Sequence, residues 1–313
     1  MERFDQYLIA RLAIGAMVLL GANNVVNAAK FEHILNFGGK GDGPGQFEYV
    51  ESFAFTGDGK ILVTDAKTAW VQVFDKKTGA YLSRFGGKGN GNDNFVKPEA
   101  IAVADDGRIY VGDNETGAIK IFGSDYRHLK TFSEKGTEPG QNYKSEFPDI
   151  RNGLLYLPEE GDHRVSAFDL NGTFKFVFGT EGTGDGQFQK PVSLRFKDDN
   201  VMYVTDHNNH RLQVFSKDGK FVKSIGTKGP GPNQFDGPSG IDFDTKGNYY
   251  VGEKGNARVS VYDKNDKYVD SYGSEGSGNG QFGNIHGVLV DKTNGWVYVA
   301  DTANNRVQVF AMK

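Results

Sequence analysis

The chain repeats one pattern six times, and this repeat restricts the fold more than any other feature of the sequence. An acidic residue that follows a short apolar run recurs every 46 to 48 residues, at Asp65, Asp113, Glu159, Asp206, Glu253 and Asp301. No linker separates the six copies. Because a fixed period of this length is typical of stacked repeat architectures, each copy is expected to be one structural unit that buries its apolar surface against its neighbours.

The segment from residue 178 to residue 225 shows the plan of one unit most clearly. A glycine-rich loop leads to Pro191, an alternating run follows at 193–196, and three more short runs are rich in β-branched and aromatic residues. Alternation with a period of two and these residue types are typical of strands. The pattern predicts four strands in this unit, over residues 193–196, 202–204, 211–215 and 221–225.

The repeat predicts an all-β fold, a six-bladed β-propeller with four antiparallel strands in each blade. A four-stranded sheet cannot bury both faces alone, so the units are expected to stack radially around a central tunnel. The sixth repeat ends at Lys313 before any fourth strand, whereas the segment from His33 to Phe37 matches the fourth strands at 81–85 and 128–132. We therefore predict that the N-terminal strand closes the ring by pairing with the last blade.

The first 28 residues differ in composition from the rest of the chain. Arg3 and Arg11 precede an apolar run from Leu12 to Gly21, and small residues at 26–28 offer a cleavage site. These features predict a signal peptide at 1–28, a propeller at 29–313 and a secreted or periplasmic protein. The run falls short of the roughly 20 residues that span a bilayer, so no stable membrane span is expected after leader cleavage. The alternative is a protein anchored in the membrane by an uncleaved leader.

Composition and charge exclude several classes of site. The chain contains no cysteine, which rules out a disulfide framework and a thiolate metal site. Its formal net charge of -4 gives no basic surface of the kind that nucleic-acid-binding domains carry, so no nucleic acid partner is expected. Four arginines, each five residues after the repeated acid, are expected to pair with a carboxylate and clip strands or blades together. They are Arg164, Arg211, Arg258 and Arg306.

One position in each repeat is expected to face the tunnel, namely the residue after the proline at the start of the inner strand. In the third repeat the position is ambiguous, because ungapped alignment on Glu159 gives Ser145 whereas anchoring on Pro148 gives Asp149. The ungapped alignment is preferred, since residues 151–153 then match the turn at 105–107. The fourth repeat has Val192 here. The candidate ligand-binding residues at the tunnel mouth are Glu51, Glu99, Ser145, Asp149, Ser239 and His286.

Three of these candidates belong to consecutive blades once the ring is closed. Glu51, Glu99 and His286 would converge on one side of the tunnel. Two carboxylates that lie close together repel each other unless they share a cation or a proton. Two carboxylates with one imidazole suit a divalent cation such as calcium, manganese or zinc, and this is the predicted cofactor and metal site. The alternative is a solvated polar tunnel wall in which water keeps the carboxylates apart.

The repeat resembles the NHL-repeat family of propellers from about Phe31 to Phe310. The matching pattern is Gly-x-Gly-x-Gly-Gln-Phe, then Pro, Tyr-Val-x-Asp, Asn-His-Arg or a variant, and Val-Gln-Val-Phe. It is nearly complete at 182–215 and at 276–310. The family includes lyases, lactonase relatives, RNA-binding ubiquitin ligases and receptor ectodomains, so the resemblance implies the fold and leaves the function open.

More distant resemblances bear on the metal site. The peptide-amidating lyases carry a tunnel histidine in three blades as zinc ligands, and only His286 matches here, whereas Glu51, Glu99, Val192 and Ser239 depart from that pattern. Gluconolactonase-like propellers bind their metal largely through acidic and amide side chains, to which Glu51 and Glu99 are more similar. In those enzymes the cation polarises a carbonyl and activates water.

Two classes of function follow from this sequence. The first is an exported propeller that acts as a binding module for a protein, peptide or glycan ligand, with variable loops on a rigid scaffold. The alternative is a metal-dependent, lactonase-like hydrolase or lyase with its site at the tunnel mouth. Binding is favoured, because the sequence offers no complete set of nucleophile, base and orienting group.

Overall fold

The computed structural model describes residues 31–312, which form six four-stranded antiparallel sheets arranged as a ring. The predicted six-bladed β-propeller is thereby confirmed. The predicted signal peptide and its boundary at residues 28 and 29 lie outside the described residues. Within residues 31–312, no helix is long and apolar enough to cross a membrane.

The chain begins with β1 (Phe31–Gly38), and the blades follow in sequence order. Blade one contains β2 (Val50–Phe55), β3 (Lys60–Asp65), β4 (Trp70–Asp75) and β5 (Tyr81–Gly86). Blade two contains β6 (Pro98–Val103), β7 (Ile109–Asp113), β8 (Ile119–Phe122) and β9 (His128–Phe132). Blade three contains β10 (Asp149–Arg151), β11 (Leu154–Glu159), β12 (Arg164–Asp169) and β13 (Phe174–Phe178).

Blade four contains β14 (Pro191–Phe196), β15 (Val201–Asp206), β16 (Arg211–Ser216) and β17 (Phe221–Ile225), with a short 3₁₀ turn at His207–Asn209. A small parallel pair, β18 (Thr227–Lys228) and β19 (Gln234–Phe235), leads to blade five. That blade contains β20 (Pro238–Phe243), β21 (Tyr249–Glu253), β22 (Arg258–Tyr262) and β23 (Tyr268–Tyr272). A second parallel pair, β24 (Ser274–Glu275) and β25 (Gln281–Phe282), precedes β26 (Ile285–Asp291), β27 (Trp296–Asp301), a 3₁₀ turn at Thr302–Asn304 and β28 (Arg306–Met312).

The ring is closed by the N-terminal strand, as the sequence predicts. β1 pairs antiparallel with β28, from Phe31 opposite Met312 to Gly38 opposite Arg306, and so supplies the outer strand of blade six. The hydroxyl of Tyr298 adds a second tie, because it donates a 2.6 Å hydrogen bond to the carbonyl of Lys76 in blade one. Blade six therefore adjoins blade one through both strands and side chains.

The core is divided into six apolar clusters, one at each contact between neighbouring blades. The aromatic residue near the end of each third strand is buried in one of them. These residues are Phe74, Phe122, Phe168, Phe215, Tyr262 and Phe310. Burying a side chain of this size contributes roughly 1.5–3 kcal/mol, so the blades are held together mainly by these contacts.

Each inner strand contains one extra residue near its start. In blade one, Val50 lies opposite Asp65 but Phe53 lies opposite Val63, so three steps along β2 match two along β3. The same shift of one residue occurs in the inner strands of blades two, four, five and six. A β-bulge of this kind re-aims side chains. Here it turns the residue after the paired position, such as Glu51, towards the tunnel.

Candidate functional site

The repeated acid holds the backbone just before each bulge. In blade one, the Asp65 carboxylate accepts hydrogen bonds from the backbone N–H of Glu48 at 2.8 Å and of Tyr49 at 3.2 Å. Asp113 holds Val96 and Lys97 in the same way in blade two. The acid therefore fixes the segment that delivers side chains to the tunnel mouth.

The arginine clips join this acid to the glycine-rich loop of the same repeat. Nε of Arg211 lies 2.8 Å from Oδ2 of Asp206, and Nη2 donates to the carbonyls of Gly184 and Gln187 at 2.7 and 2.8 Å. Arg258 and Arg306 make the corresponding contacts in their repeats. These arginines are committed to the scaffold, as the sequence predicts.

Three predicted site residues line one cavity at the tunnel mouth. Glu51, Glu99 and His286 surround a cavity of about 210 Å³. Ser239 is not among the residues that line it. Its hydroxyl donates to the carbonyl of Ile285 at 2.9 Å and lies 3.2 Å from the carbonyl of Gly252. Ser239 therefore ties blade five to blade six. Because blades four and five have Val192 and Ser239 at the tunnel position, neither contributes a carboxyl group there.

The third blade presents Glu146 at this position, which corrects the prediction of Ser145. Ser145 forms the bridge with Glu159 that Val50 forms with Asp65, so the next residue, Glu146, faces the cavity. The reason is the first hairpin of this blade, which closes with a two-residue turn at Asn152 and Gly153. Both residues have positive φ, 54° and 73°, as a tight hairpin turn requires. This hairpin is one residue shorter than the first hairpin of blade one. Counting the same number of residues back from Glu159 therefore reaches Ser145, which precedes the tunnel-facing residue by one position.

Asp149, the other candidate for the third blade, lies at the opposite end of the tunnel. It is the first residue of β10 and pairs with Tyr156. Its Oδ1 accepts a hydrogen bond from the N–H of Ile150, and its Oδ2 accepts one from the N–H of Phe196 in blade four, each at 2.9 Å. Asp149 therefore joins two inner strands and takes no part in the tunnel-mouth site.

The residues that can hold a cation are Glu51, Glu146 and His286, whose ligand atoms all lie within 4.8 Å of one another. Their exposed fractions are only 1%, 7% and 5%. Nδ1 of His286 lies 2.6 Å from Oε1 of Glu51, and Nε2 lies 3.5 Å from the Tyr49 hydroxyl. Oε2 of Glu51 and Oε2 of Glu146 have no hydrogen-bond partner among the described residues. Buried carboxylate oxygens of this kind are normally satisfied, so they mark a place for a bound group.

Glu99 lies in the same cavity, but its oxygens are already engaged. Oε1 is 2.6 Å from Nζ of Lys97, and Oε2 accepts a hydrogen bond from the Asn114 amide. Burial and the nearby Glu51 carboxylate raise the pKa of Glu99 to about 7, although Lys97 and Asn114 act in the opposite direction. The predicted set of Glu51, Glu99 and His286 is thus brought together, while Glu146 takes the place of Glu99 in the compact group.

Glu146 and Glu160 are neighbours at the edge of this group and act on each other's pKa. Burial, followed by the Glu51 charge, raises the pKa of Glu146 well above its usual range. Burial also acts to raise the pKa of Glu160, but hydrogen bonds from Glu146 and Lys190 outweigh it and lower that pKa to about 2. Nζ of Lys190 is 2.8 Å from Oε1 of Glu160. In the absence of a cation, burial and the neighbouring carboxylates therefore favour the protonated form of Glu146.

Sequence reasoning missed two further rings of residues, although the repeat contains a signal for both. The residue after the repeated acid faces the mouth in three blades, as Asn114, Glu160 and Lys254. The residue two positions before the tunnel-facing residue also lines the mouth in blades one, two and three, as Tyr49, Lys97 and Lys144. Reading these two positions through the six repeats would have identified them.

The cavity also contains two lysines that form no close ion pair among the described residues. Lys97 pairs with Glu99, but neither Lys144 nor Lys254 has an ion-pair partner in the part of the chain that the structure describes. Nζ of Lys144 lies 5.5 Å from the centre of the Tyr143 ring. Both ammonium groups are available to an acidic group that enters the mouth.

Comparisons with known proteins bear on the family. A family model described as a 6-bladed beta-propeller matches residues 47–134 and 185–249, and the NHL repeat model matches residues 282–310. No curated protein matches the chain in sequence.

Solved structures share the fold at low sequence identity. A structural genomics protein of unknown function from Bacteroides thetaiotaomicron VPI-5482 is 16% identical, with a TM-score of 0.68 over 91% of this chain and 76% of its own. A streptogramin B lyase structure is 13% identical, with a TM-score of 0.60 over 91% of this chain and 97% of its own. At these identities the likeness concerns the fold alone.

The family matches agree with the ring of blades. The NHL repeat model covers the sixth repeat, which contains Asp301, Arg306 and the third strand that pairs with β1. The propeller model covers parts of the first, second, fourth and fifth repeats. The chain is therefore an NHL-type six-bladed β-propeller.

Proposed function

We propose that this propeller is an exported ligand-binding protein whose binding site is the tunnel mouth, where Glu51, Glu146 and His286 hold a divalent cation. The observation that carries this proposal is the pair of buried carboxylate oxygens, Oε2 of Glu51 and Oε2 of Glu146, that have no partner among the described residues. Leaving such groups unpaired in a buried site is unfavourable, and a cation between them would satisfy both.

The donor set suits manganese, zinc or calcium. Two carboxylates and one imidazole are ligands that these divalent ions accept, and calcium would need further oxygen ligands. Glu99 supports the site from outside, because Lys97 and Asn114 occupy its oxygens. The cation would supply positive charge to an oxygen atom of the ligand.

The charges around the cation favour an acidic ligand. The four carboxylates of the cavity are opposed by three ammonium groups, and a divalent cation would leave the mouth with one positive charge. Lys144 and Lys254 extend this charge towards the rim. A cavity of about 210 Å³ cannot admit a folded domain. A protein, peptide or glycan partner would therefore insert one acidic side chain or acidic sugar.

Isothermal titration calorimetry tests the metal site. Protein dialysed against EDTA is titrated with Mn²⁺, Zn²⁺ and Ca²⁺, and one ion should bind stoichiometrically. Glu51→Gln and Glu146→Gln should each weaken binding at least about 100-fold, since losing even a supporting residue costs 10–100-fold in affinity. Ser239→Ala is the matched control, because Ser239 lies on the same ring but outside the cavity. The absence of stoichiometric binding, or unchanged affinity in both carboxamide variants, would contradict the proposal.

A second candidate function is a metal-dependent hydrolase or lyase. It is favoured by the Glu99 carboxyl, whose pKa of about 7 suits a group that accepts and returns a proton at neutral pH. Turnover of a lactone panel by the metal-loaded protein, lost in Glu99→Gln with metal affinity retained, would support this function. Turnover that survives both Glu99→Gln and His286→Ala would remove these residues from the mechanism.

The export part of the proposal rests on the sequence of the leader. Arg3, Arg11 and the apolar run up to Gly21 have the order of a secretory signal. Intact-mass spectrometry of the exported protein should give a start near Ala29. Retention of Met1 in a membrane fraction would favour an uncleaved anchor instead.

A further inference from the structure

The tunnel has a second cavity at its opposite end, where the inner strands finish. Its volume is about 330 Å³. Every inner strand contributes the equivalent residue to its lining, namely the one that pairs with the residue three positions before the repeated acid. These six residues are Ala54, Ala102, Asp149, Arg195, Asp242 and Leu289.

This ring is divided into an apolar half and a charged half. Blades six, one and two contribute Leu289, Ala54 and Ala102, whereas blades three, four and five contribute Asp149, Arg195 and Asp242. The two alanines are short, which leaves open space beside them. A cavity with an apolar wall facing a charged wall favours a ligand with the same division.

The two aspartates are occupied by the scaffold. Oδ1 of Asp242 accepts a hydrogen bond from the N–H of Phe243, and Oδ2 accepts one from the N–H of Val290 in blade six, both at 2.8 Å. Asp149 accepts the corresponding pair from Ile150 and Phe196. Both carboxylates therefore join adjacent inner strands through backbone hydrogen bonds.

Arg195 is left without a close carboxylate. Its side chain is buried, with 8% of the residue exposed, and Nη1 donates to the carbonyls of Pro148 at 2.5 Å and Leu194 at 2.9 Å. Nε lies 4.0 Å from Oδ1 of Asp242, which exceeds a hydrogen-bond distance. Among residues 31–312, neither Nε nor Nη2 has a hydrogen-bond partner. A buried guanidinium with free donors is a site for an anion.

The rim adds positive charge to the same cavity. Nη1 of Arg151 is 3.5 Å from Asp199, and its buried Nε has no partner among the described residues. Lys76 pairs with Asp291 at 3.0 Å, whereas Lys292 has no ion pair within residues 31–312. Four cationic side chains and three aspartates thus line the cavity, and Asp199 pairs with Arg151 from outside this lining. A single guanidinium with free donors, beside the carboxylates of Asp149 and Asp242, favours a monoanion over a dianion.

We infer that this far-end cavity is a second binding site, which takes a small monocarboxylate with an apolar body. The carboxylate would accept hydrogen bonds from Arg195, and the apolar body would lie against Ala54, Ala102 and Leu289. This site is separate from the cation site at the other mouth and does not depend on it.

Titration calorimetry with hexanoate and benzoate, each compared with its neutral amide, tests the inference. The acids should bind, and hexanamide and benzamide should bind at least about tenfold more weakly, since a charge-assisted hydrogen bond would be lost. Arg195→Gln should remove the preference for the acids. Ala102→Leu should abolish binding by filling the apolar half while every charge is kept.

Matched controls separate this site from other surfaces. Ala303→Leu makes the same change at an exposed alanine outside both cavities, so it should bind the acids as the parent protein does. Thermal unfolding verifies that each variant is folded, and Ala102→Leu decides the outcome if Arg195→Gln does not fold. Equal affinity for acids and amides, unchanged binding by Ala102→Leu, or no binding of either acid up to about 10 mM would overturn the inference.

Discussion

Nδ1 of His286 lies 2.6 Å from Oε1 of Glu51, although 235 positions separate the two residues in the chain. The contact joins the last blade to the first, and it exists because β1 pairs with β28 and closes the ring. The tunnel-mouth site is therefore assembled by ring closure. Its geometry and the stability of the closed ring should change together.

Removing His286 should destabilise the metal-free protein. His286→Leu leaves Glu51 buried without its partner, and breaking a buried pair in this way typically costs about 3–5 kcal/mol. Urea denaturation in EDTA should show a loss of about 3 kcal/mol in the free energy of unfolding. The double variant Glu51→Leu with His286→Leu should recover at least half of that loss, since no uncompensated polar group remains. A double variant as unstable as the single one would contradict this explanation.

The closing strand should contribute strongly to stability through Phe31. Its ring stacks on Tyr272 with centroids 4.9 Å apart and meets Phe310 edge-on at 6.3 Å. Phe31→Ala should lower the free energy of unfolding by about 3 kcal/mol, as for other buried phenylalanines. Leu82→Ala is the control, because Leu82 also lies on an outer strand but is 48% exposed, and it should change stability by less than about 0.5 kcal/mol. Chemical denaturation measures both, and equal effects would mean that β1 is not held by this aromatic cluster.

The fold could be predicted from the sequence because the same signal occurs six times. A single repeat such as 178–225 shows only a series of short apolar runs, but the constant spacing of the acid aligns all six copies. The alignment also reveals that the last repeat lacks a strand and that residues 33–37 supply it. The number of blades and the order of strands therefore do not depend on any single repeat.

The site could be predicted only in part, because it depends on differences between repeats. Counting 14 residues back from the repeated acid identifies Glu51 and Glu99, whereas His286 lies 15 residues before Asp301, because the first hairpin of blade six is one residue longer. It misses Glu146, because the turn at Asn152 and Gly153 shortens one hairpin by one residue. The spacing of residues also does not reveal side-chain contacts, so it cannot show that Lys97 and Asn114 engage the carboxylate of Glu99.

The arginine clips should be worth more than ordinary surface arginines. Arg211 pairs with the buried Asp206 and with two loop carbonyls. Arg211→Met should cost about 2 kcal/mol, less than the usual 3–5 for a broken buried pair, since Asp206 keeps hydrogen bonds from Gln189 and Asn209. Arg127→Met, at a side chain that is 86% exposed, is the matched control and should be nearly neutral. Urea denaturation of both variants checks the prediction, which fails if their effects are the same.

His207 should make the stability of the propeller depend on pH below neutrality. Burial, followed by the charge of Lys254, lowers the pKa of His207 to about 4, and its Nδ1 donates a 3.1 Å hydrogen bond to the carbonyl of Pro238. An unfolded histidine has a pKa of about 6.5, so between these two values the unfolded state binds the proton and the folded state does not. The free energy of unfolding should therefore fall as the pH drops from about 6.5 to about 4.

Comparison with His207→Gln isolates this contribution, because glutamine keeps a donor but does not titrate. The free energy of unfolding of the parent protein, relative to that of the variant, should decrease by about 2 kcal/mol between pH 7.5 and pH 5. The decrease occurs below pH 6.5, at about 1.36 kcal/mol per pH unit. Urea denaturation at pH 5, 6 and 7.5 measures this difference. Asn208→Ala changes a non-titrating neighbour in the same turn, and its effect should not vary with pH. A constant difference between the parent protein and His207→Gln would show that His207 is not buried in its neutral form.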